Sequence, residues 1–74
     1  MDTITLDYSF VEDGKTFTGS HRIRKDQVPK VDNIISIEHG ELPRYLCVTH
    51  VWPAALVQGK MHVCVEGHLV DSMV

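Results

Sequence analysis

Hydrophobic and polar residues alternate with a period of two along most of this chain, the signature of half-buried β-strands. Residues 3–11 set Ile4, Leu6, Tyr8 and Phe10 on one face and Thr3, Thr5, Asp7 and Ser9 on the other. Glu12-Asp13-Gly14-Lys15 follows, and Asp-Gly between two such runs favours a two-residue type I′ turn, whose central positions both need positive φ. The register is then set: Phe10 faces Phe17, Tyr8 faces Gly19, Leu6 faces His21 and Ile4 faces Ile23. An aromatic opposite an aromatic and a tyrosine over a glycine are favourable cross-strand pairs. Asp7 with Ser20 and Thr5 with Arg22 form the wet face of the same hairpin.

Arg24 to Lys30 is a polar connection, ended by Val28-Pro29 because proline disfavours helix in its predecessor. Residues 31–38 read as a third strand, with Ile35 and Ile37 on one face and Ile34, Ser36 and Glu38 on the other. His39 to Pro43 is a turn broken by Gly40 and Pro43. Arg44 to Trp52, rich in β-branched and aromatic residues, is a fourth strand. Pro53 to Gly59 reads as a loop with room for one short helical turn, and Lys60 to Val70 as a fifth strand. Asp71 to Val74 is expected to fray. No segment sustains a helical period. Five short antiparallel strands in so small a chain bury one face only by curling round it, which predicts an all-β, strongly bent sheet or small barrel.

The fifth strand carries the densest chemistry. Met61, Val63 and Val65 point one way, and His62, Cys64, Glu66 and His68 point the other. Its pairing with residues 44–52 admits two registers. In one, His50 lies opposite His62 and Val48 opposite Cys64. In the other, Trp52, His50, Val48 and Leu46 fill the core and Cys47 joins the polar face. The second buries larger apolar side chains and is preferred.

The stretch Val28-Pro29-Lys30-Val31-Asp32-Asn33-Ile34-Ile35-Ser36-Ile37, with Tyr45-Leu46-Cys47-Val48 after a turn, resembles small SH3-like barrels of bacterial and phage proteins. Those have a Pro-x-Val-Gly-Asp-x-Val-x-Val entry followed by a Tyr-x-Val strand. Asp32 stands where that pattern has glycine and Asn33 where it has aspartate; both residue types tolerate left-handed backbone. The likeness spans residues 28–70 and implies a fold class without an activity, since such barrels host many functions. It also suggests a phage or mobile-element factor that inhibits a host protein by occupancy.

The chain has 74 residues, enough for one domain near the lower limit for an unstapled core. Its N-terminus lacks the regions of a secretion signal and no run is apolar enough to span a bilayer, so a cytoplasmic location without membrane contact is expected. The net charge of −3 argues against binding nucleic acid by phosphate neutralisation, although Arg22, Arg24, Lys25 and Lys30, with Arg44, could form a basic surface for it. Cys47 and Cys64 are too few for a disulfide framework and read as reduced thiols within strands.

Five histidines are an enrichment that raises the question of a metal. The candidate ligands are His50, His62 and Cys64, with Cys47 as substitute for His50, and zinc is the metal they suit. Strand geometry opposes the site, because residues i and i+2 lie roughly 6.8 Å apart. No cofactor is expected. Cysteine–histidine catalysis would need an orienting group and a pocket, and the chain carries no phosphate loop or hydrolase motif, so no enzymatic activity is expected. Trp52-Pro53-Ala54-Ala55-Leu56-Val57 is apolar for a loop. It either plugs the open end of the barrel or serves as an interaction patch. The leading expectation is a non-enzymatic module that binds a protein, or a second copy of itself through strand edges, using Tyr45, Trp52, Leu56 and Val57. Tyr45 and Trp52 could line a peptide groove.

Overall fold

A computed structural model describes residues 2–71, so the expected fraying of residues 72–74 lies outside the described residues. The described residues are all-β apart from a single 3-10 turn over Lys25–Gln27. Its strands are β1 (Thr3–Glu12), β2 (Lys15–Arg24), β3 (Ile34–His39), β4 (Leu42–Val51), β5 (Ala55–Val57) and β6 (Lys60–Val70). They form one strongly curled, open sheet in the order β2-β1-β6-β4-β3, with β5 added beside the start of β6.

Three two-residue turns build three hairpins. Asp13 and Gly14 have φ of 53° and 77°, the positive pair that a type I′ turn requires. The β1–β2 register is the one the alternation predicts, from Ile4 opposite Ile23 to Phe10 opposite Phe17. Gly40, at φ 75°, takes the first central position between β3 and β4. Gln58 and Gly59, at 51° and 80°, join β5 to β6. Residues 55–57 are therefore a strand where a loop was expected, and no helical turn forms in 53–59. The turn at 39–43 contracts to Gly40-Glu41, with Pro43 paired to Glu38 beyond the last residue of β4 that meets β6. At the other end of β3, residues 31–33 leave the strand. Asp32 adopts φ 76° and Asn33 closes the turn, accepting a bond from the Lys30 amide on its side-chain oxygen at 2.9 Å. The backbone of this turn then pairs with Val48 in both directions at 2.8 Å.

The sheet is mixed, where an antiparallel one was expected. β6 runs parallel to β1, from Thr5 beside His62 to Phe10 beside Gly67, and antiparallel to β4 and β5. Each hairpin is antiparallel by necessity, but nothing in a hairpin dictates how it docks on the next. The last strand is thus the central one. Ile4, Leu6, Tyr8 and Phe10 of β1, Ile37 of β3, Leu46 and Val48 of β4, and Val63 and Val65 of β6 fill the concave side. Burial of each such side chain contributes roughly 1.5–3 kcal/mol, and this single cluster is what holds the curled sheet together. The barrel stays open between its two edge strands, where Gly19–His21 of β2 and Ser36–Glu38 of β3 line a cleft.

Candidate functional site on the convex face

The polar sides of β2, β1, β6 and β4 meet on the convex face, and the registers order them into rows. One row runs Ser20–Asp7–Cys64, continued by Trp52, whose amide donates to the Cys64 carbonyl at 3.0 Å. The next runs Thr18–Ser9–Glu66–His50. On the other side lies Arg22–Thr5–His62–Ala55. Adjacent strands are about 4.8 Å apart, so each row is a continuous band of neighbouring side chains.

What places Trp52 there is a bulge. Leu46 and Val48 pair with Leu69 and Gly67, as the preferred register predicts, and Cys47 joins the polar face opposite His68. Between Val48 and His50 the register shifts by one residue, and Val51 then pairs with Val65. Thr49 is the extra residue, its hydroxyl donating to the Glu66 carbonyl at 3.2 Å. A bulge re-aims everything beyond it. His50 and Trp52, expected in the core, are therefore both exposed on the convex face, and Val51 takes the inward position. Their rings meet edge to face at 4.2 Å between centroids. Cys47 and His50 consequently both share the face of His62, Cys64 and Glu66, which neither uniform register would allow.

Asp7 is the hub of the middle row. The His62 Nδ1–H donates to Asp7 Oδ2 at 2.9 Å, and the Cys64 thiol lies 4.0 Å from the same oxygen. Asp7, Ser9, Thr18, Ser20 and Cys64 form the floor of a hollow of about 680 Å³, and Trp52, Pro53 and Ala55 form its wall.

The proposed metal ligands do not converge. His50 lies opposite Glu66, four residues along β6 from His62, and the one-residue shift at the bulge does not bring the two near each other. Among the described residues no three His, Cys, Asp or Glu side chains are grouped to hold a metal. Cys47 and Cys64 are both free, Cys47 lying opposite His68 rather than Cys64.

Of the basic residues, Arg44 alone turns away from the surface. Arg44 points inward and pairs with Glu12 at 3.1 Å, near the β1–β2 turn, while Arg24 pairs with Asp26 at 3.3 Å on the surface. Arg22, Lys25 and Lys30 are exposed, Arg22 on the convex face opposite Thr5.

Of the expected partner-binding residues, Trp52, Leu56 and Val57 are exposed and do not plug the barrel. Tyr45 is half-buried beside Val70, seven residues along β4 from Trp52, a separation of roughly 23 Å at strand rise, so the two do not form one groove. Met61 joins the exposed set, paired directly with Leu56. Met61 keeps phase with the buried Val63 and Val65, but the strand outruns the sheet's concave face at that end. Alternation places Asp7 on a wet face and no more, since its meeting with His62 depends on the parallel β1–β6 pair. No helix among the described residues is long and apolar enough to cross a membrane.

No protein-family model matches this sequence, and neither a curated protein nor a solved structure shows significant similarity to it.

Proposed function

We propose that this protein is a non-enzymatic interaction module that binds another protein through the β5–β6 hairpin. The observation that carries the reading is apolar side chains left in water on both faces of one hairpin, Leu56 with Met61 on one face and Val57 on the other. Four of the seven large exposed hydrophobics among the described residues lie between positions 52 and 61: Trp52, Leu56, Val57 and Met61. Leu56, 68% exposed, stands directly opposite Met61 on neighbouring strands. Apolar surface concentrated in this way favours association. Paired only with β6, β5 also offers a short strand edge for an extended segment of the partner. Self-association through the open edges of β2 or β3 is a version of the same reading. Occupancy of a partner's surface, as in an inhibitor carried by a phage or mobile element, is the mode of action assigned here.

The test compares the wild-type chain with Leu56→Ser/Val57→Ser. Light scattering on a size-exclusion column reports self-association, and affinity capture followed by a binary assay with the recovered protein reports a partner. The double variant is expected to lose the association while keeping the strand signature in circular dichroism. A wild-type chain that is monomeric and partnerless, or a variant that binds equally well, refutes the proposal.

A further inference from the structure

We propose that the hollow between Asp7 and Trp52 is a recognition pocket for a cationic side chain, arginine above all, presented by the protein partner. The inference rests on the protein-binding reading above and names the chemistry that the partner brings.

At about 680 Å³ the hollow has the size of pockets that take a small ligand or an inserted side chain. Among the described residues Asp7 is the only charged one that lines it, with no lysine or arginine beside it. The carboxylate is only partly committed. The His62 ring and the Cys64 thiol both approach Oδ2, and Oδ1 has no hydrogen-bond partner among the described residues. An anion is repelled from such a site, and a neutral group leaves the carboxylate unused.

Shape and wall select within the cations. Trp52, 42% exposed, offers its indole beside Pro53, and a planar guanidinium stacks on an indole better than an ammonium does. His50 packs against that indole at 4.2 Å and holds its orientation. Facing the wall, the hydroxyls of Ser9 and Ser20 can accept the guanidinium N–H groups that a single carboxylate leaves over. Carboxylate, aromatic wall and hydroxyl floor are brought together by three separate pairings: β1 with β2, β1 with β6, and β4 with β6 beyond the bulge.

Trp52 is the chain's single tryptophan, so its emission reports the pocket directly. The experiment titrates the whole protein with N-acetyl-arginine amide, N-acetyl-lysine amide and the uncharged N-acetyl-citrulline amide. Arginine amide is expected to give a saturable change in the millimolar range, lysine amide a weaker one, and citrulline amide one at least tenfold weaker still than arginine. Asp7→Asn should weaken arginine binding at least tenfold. Should that variant fail to fold, Ser9→Arg, which supplies a tethered guanidinium beside Asp7, should block the added arginine instead. Equal binding of citrulline amide, unaltered binding by folded Asp7→Asn, or no saturable change overturns the proposal. Leu56→Ser/Val57→Ser separates the two readings: it should abolish protein capture and leave arginine amide binding intact. Loss of capture with no arginine binding in the wild type defeats the pocket alone; arginine binding by a chain that captures no protein defeats the hairpin reading, and with it the assignment of the cation to a partner.

Discussion

Gly67 of β6 lies against the backbone of Cys47 on β4 so closely that a Cβ at position 67 would overlap the Cys47 carbonyl oxygen and stand 3.0 Å from Leu46 Cγ. The crowding sits immediately before the bulge at Thr49, where β4 bends. Backbone cannot swing aside as a side chain can. Gly67→Ala is therefore expected to destabilise the fold by about 3 kcal/mol, at the upper end of overpacking costs. Urea unfolding measures it, and a loss below 1 kcal/mol would show that β4 can retreat.

Gly19 shows the same requirement with a softer neighbour. The Tyr8 ring lies over it, and a Cβ there would overlap the hydroxyl oxygen and come within 2.6 Å of Cζ. Tyr8 is buried, stacked near Phe10 and tilted against His21, so its ring has little room to move. Gly19→Ala should cost about 1–3 kcal/mol, reduced by the backbone entropy that alanine saves in a strand. In a Tyr8→Phe background, which deletes the nearest atom, the cost should fall. Equal costs in the two backgrounds would mean that the ring does not set the demand for glycine.

These two glycines also mark how far the sequence could be read. Tyr8 over Gly19 was legible, because Asp13-Gly14 fixes a local register and every later pair follows from it. Gly67 against Cys47 was not: the pairing of its strand with residues 44–52 was expected, but no tight turn joins the two strands to fix which residues meet. Alternation reports which face a residue takes, and turns report which strands are neighbours in sequence. Neither reports that β6 inserts between β1 and β4. The candidate site divides along the same line. The polar face of His62, Cys64 and Glu66 follows from period two alone. Asp7 beside His62 needed the parallel pair, and Trp52 on that face needed an extra residue at Thr49. A single uniform register cannot describe β4: up to Val48 its residues take the faces of the preferred register, and beyond Thr49 His50 and Trp52 take the opposite face.

Cys64 tests the Asp7 geometry independently of any ligand. It is exposed on the convex face, whereas Cys47 is half-buried, so Ellman's reagent should modify Cys64 first. That reagent is an anion, and the Asp7 carboxylate sits 4.0 Å from the thiol. A unit charge at this distance is worth roughly 1 kcal/mol in water, or about fivefold in rate. Asp7→Asn should accelerate modification of Cys64 by up to that factor at low salt, with the difference shrinking in 1 M salt as charges are screened. An unchanged rate in a folded variant would place the carboxylate elsewhere.

Gln58 offers a way to tighten the hairpin on which the binding reading depends. It holds φ 51° at the first position of the β5–β6 turn, where a side chain with a long stem gains nothing locally. Asparagine enters the left-handed region more readily, and Asn-Gly is the preferred pair for this turn. Gln58→Asn should stabilise the turn by about 0.5–1 kcal/mol, within the usual cost of a non-glycine residue held at positive φ. Because β5 pairs only with β6, the gain should appear locally, as slower hydrogen exchange at the amides of the β5–β6 turn and its flanking pairs, with little shift in the global unfolding midpoint. If β5 forms the docking edge, the same substitution should also slow dissociation of the partner, since a pre-ordered strand loses less entropy on binding. Faster exchange in Gln58→Asn would show that the turn is not the type I′ hairpin described here.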